Sequence, residues 1–324
     1  MKMAKSLAHR LPLLGRVMRE RDELRETRAK LESELKKWRK GFVAPGHFYS
    51  PIVDIESYNE PHDLPSGVNR PSLAGIELNE SKQLALLDAF IATYSEHKFH
   101  ENPTNGSRYH LDNEFYAYSD GICLYSMLRH IKPKKFVEIG SGFSSACALD
   151  VNDQFFDSKI DFTFIEPYPD RLQRLLTPAD HSRNSLRVIQ SPVQSVPISV
   201  FKELESNDIL FVDSSHVSKT SSDVNFIFFD ILPALKPGVH VHFHDIFFPF
   251  EYPSEWIRDG RSWNEAYLLR AFLQFNSTFE VVYFNSFIES LAQNKVALGM
   301  PLSLNRPTHR LTLPGSIWLR RTGI

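Results

Sequence analysis

Cysteine is nearly absent from the chain: Cys123 and Cys147, in separate segments, are the only two among 324 residues. That excludes a disulfide framework or a Cys-rich zinc site and points to a reducing compartment, so cytoplasm is the expected location. Long apolar runs are missing too. Nowhere do about 18 apolar residues follow one another, and no membrane span is expected. The start MKMAKSLAHRLPLLGRVMRERDELR is basic, but Pro12, Gly15 and Arg16 break its apolar stretch and no small-residue cleavage site follows, so it does not read as a signal peptide. Strong charge of one sign is lacking: the net charge is -2, which predicts no nucleic-acid partner. The chain also has no G-x-x-x-x-G-K-[ST] phosphate loop, no G-x-S-x-G nucleophile elbow and no H-E-x-x-H zinc helix, which removes three large enzyme classes.

What is present is an ordinary globular composition, 42% hydrophobic and 23% charged, in a length that suits one large α/β domain plus an extension. The near-neutral total hides an asymmetry. Residues 1–40 hold 13 Lys/Arg against 6 Asp/Glu, and the remainder is net acidic. From Val17 to Trp38 the pattern is helical, with Val17, Leu24, Leu31 and Trp38 seven apart and Leu35 four beyond Leu31. It predicts one amphipathic helix: a coiled coil that makes a homo-oligomer, a helix docked on its own domain, or a helix that adheres to a membrane surface through its basic face. Gly41 to Leu73 is rich in Pro, Gly, Ser and Asn and reads as a loop or linker. Its Phe42, His47, Phe48 and Tyr49 are residues expected to pack on something. A helix is predicted around Ser81 to Tyr94. The domain reading is thus 1–40, a basic amphipathic helix; 41–114, a linker and helical extension; and 115–324, the main domain.

After Asp120 short apolar runs alternate with helical stretches: Lys135–Ile139, Phe162–Ile165, Leu186–Ile189, Ile209–Val212, Val239–Phe243, Phe279–Phe284 and Ile317–Leu319. These predict a Rossmann-like, doubly wound α/β fold with a seven-stranded, mostly parallel sheet and an N-terminal helical extension. The last two strands are separated by a segment containing Pro301, Pro307 and Pro314 that reads as having little helical character. The final strand is therefore expected to return antiparallel, as a mixed edge.

The first strand ends in FVEIGSGFSSACALDV, where Glu138, Gly140, Ser141 and Gly142 form an E-x-G-x-G turn that opens into a helix. Glycine lets the backbone pass close to a ligand, and a helix N-terminus offers free N–H groups. A dinucleotide fingerprint would need Gly or Ala where Ser145 stands. Glu166 ends the second strand, where an acid can accept hydrogen bonds from a ribose diol. Asp213, His216, His244 and Asp245 fall at the carboxyl ends of strands four and five, where open α/β sheets bind ligands. A His beside carboxylates suits a general base, with His216 the first choice and His244 the second, while Asp213, His244 and Asp245 suit a divalent metal such as magnesium. His240 and His242 are assigned to packing.

The strings FVEIGSGFSS, FIEPYP, LFVDSSH, LKPGVHVHFHDIFFPFEYP and WNEAYLLRAFLQFN resemble class I S-adenosylmethionine (SAM)-dependent methyltransferases. More narrowly they resemble methyltransferase-domain proteins related to macrocin-type sugar O-methyltransferases and the so-called cephalosporin hydroxylases. The resemblance spans roughly Phe115 to Arg321, and GHFYSP at Gly46–Pro51 is similar to a feature of that subfamily's N-terminal extension. It implies that Glu138, Gly140 and Gly142 line the methionine end of SAM, that Glu166 holds the ribose, and that Gln190, Ser191 and Val193 border the adenine. Asp213 would lie beneath the reactive centre, and Tyr118 and Asp120 would approach the methionine moiety. The implied activity is methyl transfer to a small molecule or glycan, at a hydroxyl oxygen, with Trp256, Trp263 and Tyr267 on the acceptor side. The Asn/Asp-Pro-Pro-aromatic motif of base-methylating enzymes is absent. Two other readings stay open: a non-haem iron oxygenase using His216, His244 and Asp245, and a non-catalytic SAM-binding scaffold.

Overall fold

The computed structural model describes residues 12–38, 41–58, 73–307 and 314–323. The chain forms two compact units, Met1–Pro61 with Ile257–Ser262, and His62–Trp256 with Trp263–Ile324.

In the first unit, helix α1 (Pro12–Trp38) carries exposed i,i+4 ion pairs, Arg16 to Glu20 at 3.1 Å and Arg28 to Glu32 at 2.7 Å, the spacing at which charged side chains on one helix face meet. Val17, Leu24, Leu31 and Leu35 are all exposed along it. Beyond α1, Gly46 turns the chain at φ +83° and its N–H donates to the Ile52 carbonyl at 3.1 Å. The aromatic residues expected to pack against something pack on one another: the His47 and Phe48 rings lie 4.3 Å apart and those of Phe48 and Tyr49 4.2 Å apart. Phe42 stays 92% exposed. Among the described residues no helix is long and apolar enough to cross a membrane.

The second unit begins before Phe115, because α2 (Glu80–Tyr94) belongs to it. Helix α3 (Tyr118–Ile131) leads into β1 (Lys135–Ile139), and α4 (Phe143–Phe155) leads on to β2 (Asp161–Ile165). Strands β3 (Leu186–Ile189), β4 (Ile209–Val212) and β5 (His240–His244) follow. Helix α5 (Glu265–Leu273) precedes β6 (Phe279–Phe284), and α6 (Asn285–Gly299) precedes β7 (Ser316–Arg321). The sheet order is β3-β2-β1-β4-β5-β7-β6, with β7 antiparallel to both of its neighbours. The central strands β1, β4, β5 and β7 are buried on both faces because helices cover both sides, and Phe136, Phe162, Phe211, Phe243 and Trp318 are fully buried.

Two expectations change here. The antiparallel strand is not the edge: β7 inserts between β5 and β6, leaving β6 outermost. The connection before it is also helical, since Asn285–Gly299 forms a helix kinked at Ala292 ahead of the prolines. Edge strand β6 is shielded by the start of α2. Asn79 Nδ2 donates to the Val281 carbonyl at 3.1 Å, and Gln83 Oε1 accepts from the Phe284 N–H at 2.8 Å. Side chains thus take edge groups that would otherwise invite another strand.

Buried Arg108, ahead of α3, ties three parts of the unit together. Its guanidinium donates to Asp150 of α4 at 2.7 Å, to Asp153 at 2.9 Å, and to both oxygens of Asp180 at 2.8 and 2.6 Å. The sequence carries no local signal for this hub, whose partners lie 42 to 72 positions away.

Candidate active site

Strand order reverses between β1 and β4, so a crevice opens at their carboxyl ends. Gly140 stands there at φ +81°, and a Cβ on it would lie 1.9 Å from the Asp213 carbonyl oxygen. Both the turn and the close approach to the end of β4 require glycine. Glu166, at the end of β2, sits against this loop: its carboxylate accepts from the Ser141 N–H at 3.0 Å and from the Tyr168 N–H at 2.8 Å. Buried Ser141 Oγ has no hydrogen-bond partner. Gly142 has extended backbone, and a Cβ on it would meet Arg171 Cδ first, at 3.1 Å. Arg171 lies 3.7 Å over the Phe115 ring and walls the loop on that side; neither residue stands out in the sequence.

Glu138 is wholly buried and accepts from Ser144 Oγ at 2.5 Å and from Ser145 Oγ. Burial raises its pKa to about 8 despite those two hydroxyls. Ser145, which breaks the dinucleotide pattern, is one of its partners and also accepts from the Gly142 N–H at 3.0 Å. The serine in place of glycine therefore fixes the entry into α4. Ser191 and Gln190 follow β3, half-buried and exposed respectively, while Val193 is buried. Ser191 Oγ reaches only the Pro192 carbonyl, at 3.3 Å.

Ends of β4 and β5 bring a second group together. His216 Nε2 lies 3.3 Å from Asp213 Oδ1 and 3.6 Å from Asp245 Oδ2, and Nδ1 is 2.8 Å from Glu265 Oε2 at the start of α5. His216 and Asp245 are both in the left-handed region, at φ +59° and +56°, a strain that clusters at functional sites. The Trp263 ring lies 4.3 Å from the His216 ring. Burial disfavours the imidazolium, but hydrogen bonds to Asp213 and Glu265 and the charge of Asp245 outweigh it, so the His216 pKa is held well above the usual value. Both nitrogens of His216, the residue expected as first-choice base, thus lie beside carboxylates.

Asp213, His216 and Asp245 offer ligand atoms all within 4.8 Å of one another, the spacing a metal ion needs. His244, expected in that set, stands outside it. Its Nε2 is 3.5 Å from Asp245 Oδ1, and its ring lies 5.0 Å from that of Tyr116. The set is one imidazole and two carboxylates, which differs from the two-His, one-carboxylate pattern of iron oxygenases. Glu265 lies behind the imidazole, 2.8 Å from Nδ1, a carboxylate–histidine pairing of the kind that orients the ring in metal sites. It sits 49 positions from His216 and nothing in the sequence pairs the two.

The remaining expected residues have other partners. Asp120 is buried, accepting from Ser316 Oγ and from Asn285 Nδ2 at 3.1 Å, so it holds β7 and α6 to α3. Tyr118 is buried beside it at φ +32°. Trp256 is buried against Trp263, ring centres 5.2 Å apart, and half-exposed Tyr267 donates to Glu251 at 3.1 Å. His242 is fully buried and stacks on Phe211 at 3.8 Å, in keeping with a packing role.

Residues 137–246 match the family described as Methyltransferase domain. A protein of Archaeoglobus fulgidus, described as uncharacterized, is 35% identical over 185 residues, covering 55% of this chain and 82% of the relative. Among solved structures, the S-adenosylhomocysteine-bound methyltransferase PaMTH1 of Podospora anserina is 12% identical, over 75% of this chain and 88% of that one, at TM-score 0.40. The SAM complex of the O-methyltransferase TomG of Streptomyces achromogenes is 13% identical, over 76% and 92%, at TM-score 0.39. With the match across β1 to β5, the archaeal relative and the strand order, the chain belongs to the methyltransferase-domain family, as a class I SAM-dependent methyltransferase.

Proposed function

We propose that the protein methylates a hydroxyl oxygen of a small molecule or glycan, with a divalent cation such as magnesium held by Asp213, His216 and Asp245. The observation that carries this reading is the contact of the two half-sites: the Asp213 carbonyl lies against Gly140 of the cofactor loop while the Asp213 side chain belongs to the ligand group. The cofactor fits the first half-site, where buried Ser141 Oγ lacks a partner and Glu166 lies on the loop at the position of a ribose acceptor.

SAM supplies an already activated methyl group, so the protein's work is alignment and proton removal. A cation at Asp213, His216 and Asp245 would supply a lowered hydroxyl pKa. Two carboxylates and one imidazole suit a hard ion. Glu265 fixes the His216 ring by accepting at Nδ1, which leaves Nε2 facing the two aspartates. His244, outside the ligand group with its Nε2 3.5 Å from Asp245 Oδ1, is the base we assign to receive the acceptor's proton. Trp263, 4.3 Å from the His216 ring, and Tyr252, 5.9 Å beyond it, offer apolar faces to an acceptor ring.

The test is titration of the purified protein with SAM, then turnover on a panel of sugar and phenolic hydroxyls with magnesium and after chelation. Asp245→Asn should bind SAM as tightly as the parent while transfer falls at least about a hundredfold. Transfer that survives both chelation and this substitution sinks the metal-assisted reading.

A further inference from the structure

The opposite end of the sheet carries a groove that the transferase reading leaves unused. It lies at the amino ends of the parallel strands, between α2, the end of α3 and strands β5 to β7, and its volume is about 580 Å³, within the range of small-molecule sites. Its floor is apolar. Leu86, Ile131 and Val281 are buried there, and the irregular register between Val281 and Tyr283 takes Val282 out of the regular pairing with β7, as bulges do when they re-aim a side chain. Ala85 and Ala89, one turn apart on α2, line the groove and are too small to fill it.

At its mouth Lys82 and Arg320 share one carboxylate: Lys82 Nζ is 3.2 Å from Glu280 Oε2 and Arg320 Nη1 is 3.6 Å from Glu280 Oε1. Two cations against one anion leave positive charge facing an apolar floor. His240 lines the groove beneath this rim and is only 7% exposed.

We propose that this groove is a second ligand site, taking a small carboxylate with an apolar body. The carboxylate meets Arg320 and Lys82, and the body lies between α2 and β6 where the alanines leave room. Such a site, at the far end of the sheet from Gly140 and Asp213, binds without touching the methyl-transfer machinery.

The probe is octanoate, with 1-octanol as its uncharged counterpart, titrated by calorimetry into the full chain. Octanoate should bind saturably at one site and octanol at least about tenfold more weakly, since a charge-assisted contact is lost. Arg320→Ala should weaken octanoate about tenfold, and Ala85→Trp, at a position on the groove wall, should abolish its binding while SAM affinity stays unchanged. Ala89→Phe is the second filling variant should Ala85→Trp not fold. Absence of saturable octanoate binding, equal binding of octanol, or full binding to the filled variants each overturns the assignment.

Discussion

At the scale of single residues, the half-site proposed for the cofactor could be picked out in the sequence because its chemistry is local. Glu138, Gly140, Gly142 and Glu166 lie in two strand-end strings, and glycine is demanded by backbone geometry that a sequence betrays. Structure separates the two glycines. Gly140→Ala places a Cβ 1.9 Å from a backbone oxygen at positive φ, so the ends of β1 and β4 must part. We expect SAM affinity to drop beyond calorimetric detection and stability to fall by about 2 kcal/mol or more. Gly142→Ala meets only the movable Arg171 side chain and should keep the fold. A Gly140→Ala protein that binds SAM like the parent contradicts the loop assignment. The second half-site was only half legible: Asp213, His216 and Asp245 are visible at strand ends, whereas the choice of His216 over His244 as the metal-set imidazole depends on Glu265, Ser214 and a left-handed turn. A contact across 49 positions leaves no local pattern.

At the scale of elements, all seven strands were legible from apolar runs and their spacing, because buried parallel strands must be apolar on both faces. Their order was not. Insertion of β7 between β5 and β6 is decided by long-range pairing, and the helix Asn285–Gly299 was obscured by the prolines that follow it. Arg108 likewise shows how elements are joined by charge. Arg108→Ala leaves Asp150 and Asp180 buried without their cation, and a broken buried pair typically costs about 3–5 kcal/mol. Chemical denaturation should show a loss of that order. Asp153→Asn, on a partner whose side chain is 30% exposed, should cost clearly less. Equal small losses in both variants would mean that the hub does not hold α4 and the Pro178–His181 helix.

At the scale of the whole molecule, two behaviours are open to measurement. The first is assembly. We propose that α1, with Val17, Leu24, Leu31 and Leu35 exposed on a basic helix, makes a homo-oligomer; removal of residues 1–40 should then lower the mass measured by light scattering while SAM affinity holds, and an unchanged mass counts against it. The second is acid sensitivity. Burial, with help from Arg320 and His130, lowers the His240 pKa from 6.5 to about 4. The unfolded chain therefore binds a proton at His240 between pH 6.5 and 4 that the folded chain does not, and stability drains away as pH falls through that window. At pH 5 the shift amounts to about 2 kcal/mol, and at about pH 7.5 to almost nothing. Asp180, lowered to about 2 against its opposing burial by the hydrogen bonds of Arg108 and Thr177, adds a loss that begins only below its ordinary value of 3.8. His216 acts in the reverse sense, since its pKa is raised, so the wild-type slope alone is not diagnostic. The difference between the parent and His240→Leu is, because the other groups cancel. Between about pH 7.5 and 5 the parent should lose about 2 kcal/mol more than the variant, roughly 3 °C in midpoint for a chain of this size, and identical slopes would show that His240 is not held neutral by the fold.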